Sequence, residues 1–285
     1  MNRPLTIGIV VGVFLLLFLV ERAVSLRQPK ARLVTRVLVN LSISALAFAA
    51  AAVFVQPVVA RLLDWTSQAP FGLVALTGLS GGFEFILGFL LLDLSFYYWH
   101  VANHRIPLLW RFHNVHHIDP DLDVSTGFRF HFGEIAFSSV FRVVQIGLIG
   151  PSLATFAVYE LFFHANTLFH HSNLRLPVGF ERLLNKLFVT PRMHGIHHSQ
   201  VRAELNSNYG VVFPWWDRLH RTLRLNVPQA CVVIGVPGYS MSADNGLWHC
   251  LSLPFRPQRD YWRTPDGELV RRDVQLSGSQ TRLAE

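Results

Sequence analysis

Long apolar runs separated by short charged breaks organise this chain. Residues 6–20 carry no charge, and neither do residues 41–60 or 85–92. A helix that crosses the bilayer core needs about 20 predominantly apolar residues. The runs predict membrane-spanning helices over roughly residues 5–20, 37–59 and 71–99. Gly78, Gly81 and Gly82 in the third permit a bend or close packing. Residues 135–150 are apolar apart from Arg142 and Gln145, Pro151 breaks the pattern, and residues 152–163 are apolar apart from Glu160. Each of these halves is short for a crossing at about 1.5 Å per residue, which predicts a helical hairpin that dips into the bilayer and returns. The expected fold is an all-α integral membrane protein of about four transmembrane helices, the short pair re-entrant, with a cytoplasmic histidine-rich helical cap. Residues 202–285 are polar, rich in Pro and Arg, and contain no span; 271–285 reads as a mobile tail. The expected units are 1–70 (two spans and a basic loop), 71–223 (the histidine-bearing domain) and 224–285 (a polar cytoplasmic tail).

Composition supports the membrane reading. The 285 residues are 51% hydrophobic and only 15% charged, against about 25% charged in soluble domains. The net charge of +7 would suit nucleic acid or an anionic membrane surface, and the hydropathy decides for the membrane, with no nucleic-acid partner. Arg22, Arg27, Lys30, Arg32 and Arg36 stand against Glu21 alone in the first loop. Positive-inside logic places that loop in the cytoplasm, so the third span delivers His100 to the cytoplasmic face. The first span lacks a small-residue cleavage site and reads as a retained helix, not a signal peptide. Cys231 and Cys250 have no metal-site spacing.

The candidate chemistry lies in three histidine clusters: His100 and His104; His113, His116 and His117; His194, His197 and His198. Random placement of 14 histidines in 285 positions gives about 0.03 copies of H-x-x-H-H per chain, and this chain has two. Positions i, i+3 and i+4 share one helical face, so each triple aims its imidazoles together. That many neutral imidazoles exceed the four-coordinate shell of one zinc and favour two metals. Structural zinc sites usually include cysteine, and no glutamate follows the first histidine as an H-E-x-x-H protease requires.

The order of these clusters resembles the fatty acid hydroxylase/sterol desaturase superfamily of integral-membrane di-iron oxygenases. The resemblance runs from about Phe85 to Leu223. It is carried by Trp99–His104, Leu109–His117, His171-Ser172-Asn173, Val189–His198, Asn208-Tyr209-Gly210 and Trp215–Leu219. It implies two irons per chain and O₂-dependent hydroxylation or desaturation of an apolar lipid. The implied metal ligands are His100, His104, His113, His116, His117, His194, His197 and His198, with His171 as the middle ligand. His164, two turns earlier on the same helical face, is added by geometry, while His170 points elsewhere if the helix continues. His131 either orients a ligand or caps the next helix. Gly133 stands where the family usually has proline, and glycine is expected to loosen that turn. Phe96, Tyr97, Tyr98, Phe128, Phe130 and Phe169 are candidates to line a lipid path, with packing or an interfacial belt as the other reading. His220 and His249 are read as surface residues.

The chain has no Gly-rich dinucleotide fingerprint and no iron–sulfur cysteine spacing. Electrons are therefore expected from an external NAD(P)H-dependent chain, through a separate ferredoxin or cytochrome. Two other classes compete. A membrane metallohydrolase would activate water, but the number of histidines argues against it. A metal transporter or sensor needs polar residues along a span, and here the histidines sit at span ends.

Overall fold

The computed structural model describes residues 3–68 and 71–272. The regular secondary structure of these residues is helical, with only isolated β-bridges between extended segments. Helix α1 (Arg3–Ala23) is followed by α2 (Leu33–Ala50), which continues through a π turn at Ala51–Val55 into α3 (Gln56–Gln68). A helix from 33 to 68 is roughly 54 Å long at 1.5 Å per residue, well beyond the bilayer core of about 30 Å. Its first turns therefore belong to the cap, where Arg36 and Asn40 are buried. A short helix α4 (Leu73–Leu76) precedes α5 (Gly81–Arg105), so the expected third span is two elements, with Gly78 and Gly81 at positive φ between them.

Helix α6 (Pro107–His117) follows at once, because Pro107 fits the first helical position after the extended Ile106. The apolar pair is longer than expected: α7 (Phe132–Ile149) and α8 (Leu153–His171). Gly150, in the left-handed conformation, ends α7, and the Ser152 side chain accepts from Thr155 N at 3.2 Å to start α8. A Cβ on Gly150 would lie 1.7 Å from the Phe71 carbonyl oxygen, so glycine is required where this hinge meets the 71–72 turn. The cap continues with α9 (Val178–Leu184), α10 (Pro191–His197), α11 (Arg202–Leu205), α12 (Trp215–Leu219) and α13 (Leu247–Ser252).

Among the described residues, four stretches are long and apolar enough to cross a membrane: Leu5–Ala23, Leu33–Leu76, Gly81–Arg105 and Phe132–Ile149. Thus α7 is long and apolar enough to cross, whereas α8 is not among these stretches. Outward-facing Leu16, Leu19, Val53, Phe83, Val140 and Leu148 are exposed, as a lipid-facing surface requires. An apolar core of Leu63, Phe89, Leu92, Phe96, Ile146 and Phe156 joins α3, α5, α7 and α8. The polar residues that interrupt the last two runs satisfy each other: Arg142 donates to Gln145 Oε1 and Glu160 Oε1, each at 2.7 Å.

The basic loop is fastened to the cap. Arg36 Nε donates to Asp119 Oδ1 at 2.6 Å and its Nη1 to Asp123 Oδ2 at 2.7 Å. Arg22 Nη2 reaches the same Asp123 oxygen at 2.8 Å, and the backbone N–H groups of Lys30 and Ala31 donate to Asp121. The loop is thus on the histidine side of the molecule. Of the expected mobile tail, residues 273–285 lie outside the described residues. Arg272 instead pairs with Glu204 at 2.6 Å.

Candidate metal centre

Four helix ends converge on the cap. The last turn of α5 carries His100 and His104, α6 carries His113, His116 and His117, α8 ends on His171, and α10 carries His194 and His197, with His198 closing it. Their donor nitrogens form two groups, and within each all chosen donors lie within 4.8 Å of one another. The first group is His100, His104, His113, His117 and His197; the second is His116, His171, His194 and His198. His100 and His104 are partly buried and the other seven are buried. Each H-x-x-H-H triple is split between the groups, since i, i+3 and i+4 fan across one face and reach both sides of it.

The ring orientations come from hydrogen bonds outside the groups. His113 Nδ1 lies 2.8 Å from Glu134 Oε1, His100 Nδ1 2.8 Å from the Tyr209 carbonyl, His197 Nδ1 2.6 Å from the Ser207 carbonyl and His171 Nδ1 2.8 Å from the Thr167 carbonyl. A carbonyl only accepts, so these Nδ1 atoms carry the proton and the Nε2 lone pair faces the group. His171 Nε2 then lies 3.0 Å from both His116 Nε2 and His194 Nε2. A convergence of ring nitrogens of this kind suits a shared cation.

The loop that supplies two of these carbonyls is itself held. Asp217 accepts from Tyr209 N at 2.9 Å, Gly210 N at 2.7 Å and the Thr222 hydroxyl at 2.6 Å. Asn208 adopts φ 55°, a left-handed conformation that asparagine tolerates, and donates to the Met193 carbonyl under α10. Gly195 has a steric role: a Cβ there would lie 1.7 Å from Arg27 Nη2, which donates to the Pro191 carbonyl and the Gln229 side chain.

Burial, followed by the neighbouring imidazoles, holds His116, His117, His194 and His198 well below the usual histidine range. Burial pushes His197 down to about 3. These rings are therefore neutral at physiological pH, the form that binds metal. His197 Nε2 and both ring nitrogens of His104 are buried without a protein partner, which fits a metal-binding role. An all-imidazole donor set with no thiolate suits iron, among the metals that imidazole binds.

Nine of the ten ligands named from the sequence come together. His164 does not. It stands two turns, roughly 10.5 Å of helix, before His171, with its Nε2 4.0 Å from Glu160 and its ring beside Phe163. Sharing a helical face does not bring side chains two turns apart to one ion. His170 does not point away as expected: it is buried, with its ring centroid 4.1 Å from His194, although it joins neither donor group. His131 caps α7, its Nδ1 accepting from Gly133 N at 3.0 Å, and so leaves the orienting role to Glu134. At Gly133 a Cβ would lie 2.5 Å from Phe112 Cε1, so the absence of a side chain makes room for that ring. Of the six candidate lining aromatics, Phe130 stacks on His116 at 4.7 Å, whereas Phe96 belongs to the membrane core and Tyr97 stacks on His220. His249 is largely buried near Asp244 rather than at the surface.

The sequence reading missed Glu134 and the run Asp119, Asp121 and Asp123. Glu134 carried a signal, as a lone carboxylate opening an apolar helix. The alternating aspartates have the spacing of a calcium loop, yet here the arginines of the first loop neutralise them.

The model of the fatty acid hydroxylase family matches residues 85–222, which hold every grouped histidine. This region is similar to fatty acid hydroxylases. Ornithine lipid hydroxylase of Rhizobium tropici is 34% identical over 173 residues, covering 61% of this chain and 50% of that protein. Alkylglycerol monooxygenase of Xenopus tropicalis is 31% identical over 190 residues, 63% of this chain and 38% of that protein. Human cholesterol 25-hydroxylase is 28% identical over 141 residues, 47% of this chain and 49% of that protein. The chain thus spans half or less of the length of each of these relatives. No solved structure matches it.

Proposed function

We propose that this protein is a membrane-bound di-iron oxygenase that hydroxylates or desaturates a lipid. The observation that carries this reading is the pair of adjacent all-histidine groups at the cap end of membrane helices. His100, His104, His113, His117 and His197 would hold one iron, and His116, His171, His194 and His198 the other. Iron held there supplies O₂ chemistry on an unactivated C–H bond, which redox-inert zinc does not offer. The chain's own residues prepare for this. Glu134 and the carbonyls of Thr167, Ser207 and Tyr209 fix the histidine tautomers, so the rings need no reorganisation when metal binds. Burial keeps the rings neutral and excludes water. The groups lie where apolar, lipid-facing helices end, so a bilayer lipid reaches them without crossing bulk water.

We take residues 71–223 as the catalytic unit, with 1–70 and 224–285 as its framework, and the cap as cytoplasmic, from the basic first loop. Reducing equivalents come from a separate ferredoxin or cytochrome fed by NAD(P)H. The test is incubation of the purified, iron-loaded protein with host lipids, a reduced carrier and ¹⁸O₂. The proposal expects either ¹⁸O in a lipid product or a lipid two hydrogens lighter, and no product without O₂. Product formed without O₂ overturns it in favour of hydrolysis.

A further inference from the structure

An oxygenase without its own redox cofactor needs a way for electrons to cross the protein shell. Among the described residues of the cap, a short aromatic path leads from the surface to the first histidine group through Trp110, which both Trp262 and Tyr261 approach, Tyr261 at 5.8 Å. Trp262 is partly exposed and stacks on buried Trp110, with ring centroids 6.4 Å apart and planes inclined by 16°. Trp110 lies 5.0 Å from the His104 ring and 5.4 Å from the His117 ring. Both of those histidines belong to the first group. The Arg202 guanidinium sits 5.1 Å over the outer Trp262 ring, and exposed Arg263 follows it in sequence. Arg263 is paired with Asp260 at 3.5 Å, which leaves Arg202 as the cation over the outer tryptophan.

A second aromatic chain exists and is less suited. It runs from Tyr98 to Tyr97, Tyr209 and then His104, with three gaps instead of two. Its outer end, Tyr98, belongs to membrane-spanning α5, where a water-soluble carrier does not dock.

We propose that Trp262 and Trp110 relay electrons to the metal site, and that Arg202 docks an acidic one-electron carrier over Trp262. The proposal rests on the di-iron reading. Each encounter moves one electron: the carrier is oxidised by one electron, one ferric ion becomes ferrous, and no covalent bond changes. Two encounters supply the two electrons that a hydroxylation consumes. Trp262 and Trp110 act through the histidines and touch no substrate.

The experiment uses the full chain and a reduced plant-type [2Fe–2S] ferredoxin as the probe. Ferredoxin binding is measured on metal-free protein. The rate of iron reduction is measured on loaded protein with ferredoxin and, separately, with dithionite. Trp262→Leu should slow ferredoxin-driven reduction severalfold, with ferredoxin binding, iron content and dithionite reduction unchanged, and Trp262→Tyr should restore most of the rate. Arg202→Glu should weaken ferredoxin binding about tenfold and flatten its salt dependence. A wild-type ferredoxin-driven rate in Trp262→Leu overturns the relay, as does a loss confined to Tyr98→Leu. Undiminished binding by Arg202→Glu overturns the docking surface. If dithionite reduces no iron in the wild-type protein, the di-iron reading itself fails and the relay with it.

Discussion

The two histidine groups draw on neighbouring turns of the same helices but are held in different ways. In the first group, His100, His113 and His197 each tie Nδ1 to an acceptor on another segment: the Tyr209 carbonyl, Glu134 and the Ser207 carbonyl. In the second, only His171 has such a tie, and its partner is Thr167, one turn back on its own helix. Packing does the rest there, through Phe130 stacked on His116 and His170 against His194. The first group is thus aimed by remote hydrogen bonds and the second by ring contacts and helix backbones. Substitutions of the remote acceptors should separate two sites that share their helices.

The largest effect should come from removing a donor. His197→Ala and His198→Ala should each abolish turnover, while each leaves roughly half of the bound iron, because each group loses one of its own nitrogens. Metal analysis of both variants checks this. Loss of all iron in both would mean that the groups are one cooperative site.

Next comes the clamp on the loop after His117. Arg36→Gln would leave Asp119 and Asp123 buried and short of a cation, a loss of about 3–5 kcal/mol by the usual cost of breaking a buried pair. Thermal unfolding in detergent measures it. The network also has a pH signature. Burial alone would raise the Asp119 and Asp123 carboxyls, but Arg36 outweighs it and holds both below the usual range. Their folded values lie below the unfolded value of about 4, so this stabilisation is complete above that pH and lost as the pH falls through the folded values.

Glu134→Gln should act on one group only. Loss of its charge beside His113 should weaken iron in the first group about 10–100-fold, the scale for a partner that orients a metal ligand, and leave the second group unchanged. Competition with a chelator, followed to one iron and then none, resolves the two. Equal weakening of both irons would erase the distinction between the groups. The smallest effect belongs to His164→Ala, which should keep near wild-type iron and activity; loss of an iron there would return His164 to the site.

How far the sequence carried this account follows from the range of the interactions. The spans, the helical cap and nine grouped histidines were visible because their signals are local: apolar length and i, i+3, i+4 spacing. His164 was misplaced because periodicity reports the face of a helix and not the position along it. Arg22 and Arg36 were read as charges that orient a loop in the membrane. Their aspartate partners lie more than 80 residues away, so no local pattern links them. Glu134 and Asp217 escaped for the same reason, since what each holds becomes visible only when α6, α7 and the 207–210 loop meet.

The central claim is two separate metals on two histidine groups. Protein purified anaerobically and active should contain about two irons per chain by mass spectrometry, in line with a donor set too large for one ion. Active protein that holds a single zinc and no iron would contradict it.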